Sequence, residues 1–362
     1  MDTDQSWMKK VLDLARKGEG RVSPNPLVGA ILVKGGVEVS RGFHSRFGGP
    51  HAEVKALSGL SDDLTRDATL YVNLEPCCHH GKTPPCTDLI LRSGIQRVVA
   101  GMQDPNPLVK GRGIRLLRKN GIRVRSGVLK PECLCLNKPY IKFITKHKPY
   151  VSLKIAQTLD GKIATMDRQS KWITDEKSRK EVQRIRYKQD AILVGIETVL
   201  EDDPLLTVRT SAPKGIFRIV LDSNLRIPLT ARVLSAQERN PTILATNGGG
   251  SPKKRKELAR MGVRVWDFTG TGDSLVPIDS LLKRLAEEGI GKLLVEGGGK
   301  VFTRFVLYRE ADRLLVFMAP KLFGEGISAF SDLSVRRTEE ALLLKNARWR
   351  SIGRDLFMEA EF

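Results

Sequence analysis

Residues 68–93 decide the fold: Ala68-Thr-Leu-Tyr-Val-Asn-Leu74, then Glu75-Pro-Cys-Cys-His-His-Gly-Lys-Thr-Pro-Pro-Cys86, then Thr87-Asp-Leu-Ile-Leu-Arg-Ser93. The first run reads as a strand and the last as a helix, which puts the cysteines in a strand-to-helix connection. Outward from this stretch the alternation continues. Trp7, Met8, Val11, Leu12 and Ala15 recur at helical spacing over 5–18, and Gly18 closes the helix as a C-cap. Leu27–Val33 and Val37–Arg41, split by Gly35-Gly36, form a hairpin; His51–Leu57 is helical and Arg97–Gly101 a strand. The first half is therefore α/β.

His51-Ala-Glu53, Cys77 and Cys86 belong together. One imidazole and two thiolates suit Zn²⁺, and three protein ligands leave a fourth tetrahedral position for water, the mark of a catalytic site. Zinc brings the pKa of such a water to about 7, and Glu53, two residues beyond the histidine, can carry its proton to a leaving amine. This H-x-E … P-C-x-x-C order is the one that zinc nucleobase deaminases use. Here eight residues lie between the two cysteines rather than two, and the insert carries His79, His80 and Lys82, donors suited to an anionic substrate group. A lone His, Glu or Cys pair is more often ordinary packing; this order with its flanking prolines is not. Cys78 reads as a bystander, and Cys133 and Cys135 as structural.

A chain of 362 residues is long enough for two domains of about 150 residues, each with a core that needs no staple. No stretch approaches the roughly 18 apolar residues of a membrane span. Met1–Lys10 lacks the apolar core of a secretory signal, so a cytoplasmic location is expected. Lys plus Arg number 61 against 41 acidic residues, a formal +20 that favours polyanions or phosphorylated small molecules. Much of it reads as solvated surface, with one short run at Lys253-Lys-Arg-Lys256.

Between Pro131 and Pro149 the pattern breaks, which places a domain boundary near residue 147: 1–147 and 148–362. The second half alternates again, with a helix over Asp175–Lys188, strands at Ala191–Val194, Arg218–Leu221 and Thr242–Ala245, a helix over Ile278–Glu288, and strands at Lys292–Val295 and Arg313–Met318. No G-x-G-x-x-G follows its first strand. Instead Lys292-Leu-Leu-Val-Glu296 runs into Gly297-Gly-Gly-Lys300 and a helical spacing from Val301, which offers backbone N–H groups to a phosphate.

Ser23-Pro-Asn25-Pro-Leu-Val-Gly29, Gly42-Phe-His44, His51-Ala-Glu53 and Asn73–Cys86 resemble the deaminase half of the bifunctional riboflavin-biosynthesis deaminase-reductase family, in which the position of Cys78 is usually serine. The resemblance continues through Leu153-Lys-Ile-Ala156, Thr158–Ala164, Ser170-Lys-Trp-Ile-Thr174, Gly195–Arg209, Asp222-Ser223 and Val295–Gly299, which look like the family's reductase half. It implies a cytidine-deaminase-like α/β/α domain followed by a dihydrofolate-reductase-like α/β domain. It also implies that Asn25, His44, His79 and Lys82 contact the pyrimidine and its ribose phosphate. Ala156, Trp172, Thr198, Asp202, Ser223, Gly298, Gly299, Lys300, Val301, Phe302, Thr303 and Arg304 would line an NADPH site, with Ser170, Arg186, Leu206, Arg209 and Glu296 holding the substrate.

Chemically, Arg186 and Arg209 suit phosphate, and Lys154 and Glu296 are candidates for the proton transfer that opens a ribose to an imine. The expected reactions are hydrolytic deamination of 2,5-diamino-6-ribosylamino-4(3H)-pyrimidinone 5′-phosphate, then NADPH-dependent reduction of the ribosyl group to ribityl. A nucleic-acid-editing deaminase is the alternative, disfavoured because Phe, Tyr and Trp total only 6%. A zinc-stabilised scaffold is the non-enzyme alternative. A small-molecule substrate, no specific nucleic acid, no membrane and a homo-oligomer are the remaining expectations.

Overall fold

The computed structural model describes residues 2–79, 84–212, 214–269 and 274–362. The chain divides into two compact units, Met1–Lys148 and Pro149–Phe362.

The first unit runs α1 Thr3–Arg16, β1 Gly29–Lys34, β2 Val37–Phe43, α2 Ala52–Leu57, α3 Asp62–Thr65, β3 Thr69–Leu74, α4 Cys86–Arg92, β4 Arg97–Met102, α5 Arg112–Lys119, β5 Arg123–Ser126, α6 Lys130–Leu136 and α7 Lys138–Lys146. Among the described residues these strands form one sheet, ordered β2-β1-β3-β4-β5. The β1–β2 and β1–β3 pairs are antiparallel, and β3–β4 and β4–β5 parallel. The apolar stripe predicted on α1 (Met8, Val11, Leu12, Ala15) is buried. Gly42 on β2 lets α2 press against the sheet, since a Cβ there would meet Ala52 O at 2.4 Å and Ala56 N at 2.6 Å. That approach matters because α2 carries Glu53 and begins at His51.

The 131–149 stretch, expected as a break, is two helices, α6 and α7. Pro131 and Pro139 lie in their first turns, where the missing N–H has no helical partner to lose. Cys133 is buried in the core as expected of a structural residue, whereas Cys135 is exposed.

The second unit runs β6 Tyr150–Thr158, β7 Lys162–Ala164, α8 Glu176–Tyr187, β8 Ala191–Gly195, α9 Ile196–Asp202, β9 Phe217–Leu221, β10 Thr242–Thr246, α10 Pro252–Arg260, β11 Arg264–Asp267, α11 Ile278–Glu287, β12 Lys292–Val295, α12 Gly299–Leu307, β13 Arg313–Ala319, β14 Ile327–Ser328, β15 Lys345–Ile352 and β16 Asp355–Glu361. Its main sheet has the order β11-β10-β9-β8-β12-β6-β13-β16-β15. The run from β11 to β13 is parallel, and β16 and β15 add antiparallel at one edge. Strands buried on both faces read as continuous apolar runs, which is why β8, β10 and β12 were legible.

Sequence reading missed α9, which is under two turns long. It also missed α10, which buries only Leu258 and so lacks an apolar period. The Lys253–Lys256 run lies on α10 and is partly engaged, with Lys254 Nζ donating to Leu225 O and Arg255 paired with Asp267. Among the described residues no helix is long and apolar enough to cross a membrane.

Candidate active sites

Three chain segments deliver the ligands predicted in the first unit. His51 is the N-cap of α2, Cys86 opens α4, and Cys77 follows β3. His51 Nδ1 lies 3.3 Å from Cys86 Sγ and 3.6 Å from Cys77 Sγ, and all three donor atoms fall within 4.8 Å of one another. Helix N-termini favour negative charge, so His51 and Cys86 meet where a thiolate is best stabilised. Cys77 also accepts the Cys86 backbone N–H at 3.3 Å. A hydrogen bond from the Cys86 thiol, foremost, lowers the Cys77 thiol, and the same contact pushes Cys86 itself up.

Glu53 is buried beside this trio, its carboxyl within reach of Cys86. Burial, and then the Cys77 thiolate, push it up to about 7. The imidazole and two thiols match a zinc site with an open position.

The buried Glu75 carboxylate builds the floor. It accepts backbone N–H groups from Asp104 (3.1 Å), Gly111 (2.9 Å) and Ile114 (3.1 Å), which fastens the loop before α5 against the Cys77 segment. Gly113 permits that contact, since a Cβ there would meet Pro76 O at 2.1 Å. Asn25 and His44, predicted as substrate contacts, come together: Asn25 Nδ2 donates to His44 Nε2 at 3.2 Å, while His44 Nδ1 donates to Pro50 O at 3.1 Å. Burial lowers the His44 pKa and keeps it neutral, consistent with Nε2 as acceptor. The His44 ring stands edge-on to His51, centroids 5.8 Å apart.

The Asn25 loop is itself clamped. Asn73 bonds Gly29 N and Leu27 O, and Asn137 bonds Leu27 N and Leu27 O. His79 is half-buried with Nδ1 unpartnered among the described residues; His80 and Lys82 lie outside them.

In the second unit a cleft of about 1180 Å³ opens at the carboxyl ends of β8 and β12 and along β6, where the strand order doubles back. Ligand clefts in parallel α/β sheets sit at such points. Two glycines let the strand ends close up: a Cβ on Gly297 would meet Gly195 N and Val194 Cα, both at 2.8 Å, and one on Gly195 would meet Val301 Cγ2 at 2.9 Å. Lys154, Ala156, Ser170, Trp172, Arg186, Thr198, Asp202, Leu206, Arg209, Glu296, Gly298, Gly299, Lys300, Val301 and Phe302 all line it.

Ser223, Thr303 and Arg304 are not among the lining residues. The Ser223 hydroxyl accepts Val276 N, the Thr303 hydroxyl is buried between Gly299 O and Ser331 N, and Arg304 donates to Val276 O. Thr303 shares the sequence run of the lining residues but lies on the inward face of α12.

Arg186 lines the cleft with its fork on Glu296: Nε donates to Oε1 at 2.6 Å, Nη2 to Oε2 at 2.9 Å, and Nη1 to Thr207 O. A second cation, Lys154 Nζ, stands 3.9 Å from Glu296 Oε2. Burial pushes the Glu296 carboxyl up, but Arg186 and Lys154 outweigh it and hold it below the usual range, so it is a carboxylate rather than an acid. Burial lowers Lys154, and Arg186 adds to this, against the pull of Glu296. Ser170 Oγ donates to Asp202 Oδ1 at 2.9 Å, and the Arg179 guanidinium lies 4.6 Å from the centroid of the exposed Trp172 ring.

The profile of the RibD C-terminal domain matches residues 149–358, and that of the cytidine and deoxycytidylate deaminase zinc-binding region matches 1–102. The chain belongs to the RibD family. The riboflavin biosynthesis protein RibD of Aquifex aeolicus (strain VF5) is 46% identical over 356 residues, 98% of this chain and 97% of that protein. The solved RibD of Acinetobacter baumannii (form 1) superposes with a TM-score of 0.88 at 33% identity, covering 99% of this chain and 98% of that one. The solved diaminohydroxyphosphoribosylaminopyrimidine deaminase/5-amino-6-(5-phosphoribosylamino)uracil reductase of Thermotoga maritima gives 0.84 at 40% identity, over 99% and 98%. RibD architecture, a deaminase-like unit followed by a dihydrofolate-reductase-like one, is the fold expected from the sequence.

Sequence reading left out Asn73, Asn137 and Glu75 as builders of the first site. Asn73 and Glu75 stood in the quoted motif, and a polar residue closing an apolar strand run was the available signal. Asn137 gave none, because it acts across 110 residues of chain.

Proposed function

We propose that the two units act in succession on one phosphorylated pyrimidine, 1–147 as a zinc-dependent deaminase and 148–362 as an NADPH-dependent reductase. The chain is a bifunctional riboflavin biosynthesis enzyme, a hydrolase and an oxidoreductase. In the first reaction, water displaces the amino group of 2,5-diamino-6-ribosylamino-4(3H)-pyrimidinone 5′-phosphate and ammonia leaves. His51, Cys77 and Cys86 would hold a zinc ion, which would supply the Lewis acidity that makes a water nucleophilic at neutral pH. Glu53, buried and poised near neutrality, takes the proton of the attacking water and delivers it to the departing amine. Neutral His44 and Asn25 orient the pyrimidine, their own geometry fastened by Asn73 and Asn137.

The second reaction converts the ribosyl group of the aminouracil product to ribityl, giving 5-amino-6-ribitylamino-uracil 5′-phosphate. NADPH supplies the hydride when bound, and the glycine-lined cleft gives it room for close backbone approach. Lys154, whose burial weakens its hold on its proton, donates that proton as the ribose ring opens to an imine. Glu296 is the fixed counter-charge of Lys154 and Arg186.

The observation that carries this reading is the convergence of His51, Cys77 and Cys86 beside a buried Glu53. A nucleic-acid-editing deaminase has no use for residues 149–358. The test supplies the diaminopyrimidinone phosphate with and without NADPH and follows ammonia release and cofactor oxidation separately. Ammonia without NADPH, and oxidation only after its addition, supports the reading; oxidation without prior ammonia release, or neither, refutes it.

A further inference from the structure

One wall of the second unit's cleft is a short segment that the rest of that unit holds from several sides. Ser170, Lys171, Trp172, Ile173 and Thr174 all line the cleft. Lys171 Nζ donates to Asp202 O at 3.0 Å, Lys321 Nζ to Trp172 O at 2.7 Å, and Arg179 Nη1 to Thr174 O at 2.7 Å. Arg179 therefore ties the end of the segment to the Trp172 ring that it faces. The segment runs into Asp175, the N-cap of α8, whose Oδ1 accepts Ser178 N at 2.8 Å.

That N-cap is fastened from the far end of the chain. β15 and β16 are joined by Gly353-Arg354, with Ile352 paired to Asp355. The turn docks on α8: Asp355 Oδ2 accepts Asp175 N at 2.8 Å and Ser178 Oγ at 2.6 Å, and Asp175 Oδ2 accepts Arg354 N at 3.2 Å. Gly353 has a φ of +62°, and a Cβ on it would lie 2.0 Å from Asp175 Oδ2, so the turn closes on the helix only with glycine there. Further along α8, Glu181 Oε1 accepts Arg350 Nη2 at 2.8 Å. Asp355 is only 2% exposed, and its Oδ1 has no hydrogen-bond partner among the described residues. A buried carboxyl with a spare oxygen costs stability, so an apolar contact would serve the fold alone better. What the carboxyl adds is direction, since its bonds fix the Asp175 peptide and the first turn of α8 together.

We propose that Asp355 is a positioning residue for the reductase reaction: from the β15–β16 turn it sets the Trp172–Arg179 wall against which NADPH is held. This rests on the reading of the cleft as a reductase site with NADPH beside Trp172. The effect falls on one ligand because α8 is tied separately at its two ends. Arg186, about three turns beyond Asp175, is fixed by both oxygens of Glu296, so loosening the N-cap leaves that end in place.

The test uses the full-length enzyme and measures the Kd of NADPH by titrating its fluorescence, alongside the KM of the phosphorylated aminouracil. Asp355→Ala weakens NADPH binding about tenfold, moves KM for the aminouracil less than about twofold and leaves ammonia release by the first unit intact. Asp355→Asn keeps an acceptor oxygen for both donors and stays within about threefold of wild type. Ser178→Ala removes one of the two bonds and weakens NADPH binding about threefold; it carries the test should Asp355→Ala not fold. An unchanged Kd in the alanine variants, even with lower stability to urea, makes Asp355 a purely structural residue and overturns the proposal. So does an Asp355→Asn as weak as Asp355→Ala. A raised KM for the aminouracil with Kd for NADPH unmoved overturns it too, since the wall then serves the other molecule. A wild type that binds NADPH beside indifferent variants removes the proposal alone. A wild type that binds none removes the reductase reading and the proposal with it.

Discussion

The metal centre of the first unit and the cleft of the second solve opposite problems. The centre brings three donor atoms within 4.8 Å, from short motifs at the starts of two helices and the end of one strand. The Glu53 carboxyl beside it is pushed up to about 7, chiefly by burial. The cleft spreads over about 1180 Å³ and gathers side chains from β6, α8, α9, β12 and α12, with its one deeply buried carboxylate tied down by two cations. A site that activates water needs few atoms held rigidly; a site that places two anionic molecules face to face needs breadth and a managed charge balance.

Four measurements can break or sharpen that contrast. Glu53→Gln removes the proton carrier without disturbing the fold and lowers ammonia release about a thousandfold. NADPH oxidation with aminouracil supplied directly stays unchanged, and a parallel loss would show that the two sites are not separable. Glu296→Gln leaves Arg186 and Lys154 without their counter-charge and destabilises the second unit by about 3 kcal/mol, read by urea unfolding. A shift below about 1 kcal/mol would mean that water already neutralises the pair.

Lys154→Met lowers the reductase kcat about a hundredfold. In wild type, activity falls as pH rises through the folded pKa of Lys154, so the alkaline limb lies below the ordinary lysine value of 10.5 and is absent in the variant. Asp4→Asn gives the smallest effect, about 1.5 kcal/mol on the first unit at pH 7. Burial pushes the Asp4 carboxyl up, but Arg97, Tyr71 and Arg125 outweigh it and lower it below the usual 3.8. A carboxyl lowered on folding stabilises above its unfolded value, so this contribution is complete above about pH 4 and vanishes as pH falls through the lower folded value. Urea unfolding at pH 7 and pH 3 checks it.

How far the two sites were legible follows from how local each is. His51, Glu53, Cys77 and Cys86 occupy short motifs whose residue types and order implied a shared metal, although the Cys77–Cys86 spacing departs from the general pattern. Most of the cleft residues came from motifs matched to a family, and there contiguity says less about lining: Thr303 and Arg304 sit in the same run as the lining residues Lys300, Val301 and Phe302, yet the helix turns Thr303 inward. Prolines 131 and 139 misled in another way, because a residue that interrupts a helix in its middle also starts one at its first turn.

By itself, the sequence determined which donor atoms are present, the α/β alternation in both halves and the short connections that carry ligands, since strand and helix periods and metal-ligand types are local properties. Tertiary structure alone decided the charge states and pairings. That Arg186 pairs with Glu296, that Glu75 and Asn137 fasten distant loops, and that the Arg218 side chain donates to the backbone carbonyls of Leu205 and Ser235 depend on burial and on contacts between residues far apart in the chain. Desolvation and Coulomb interactions act through space, which no linear spacing encodes.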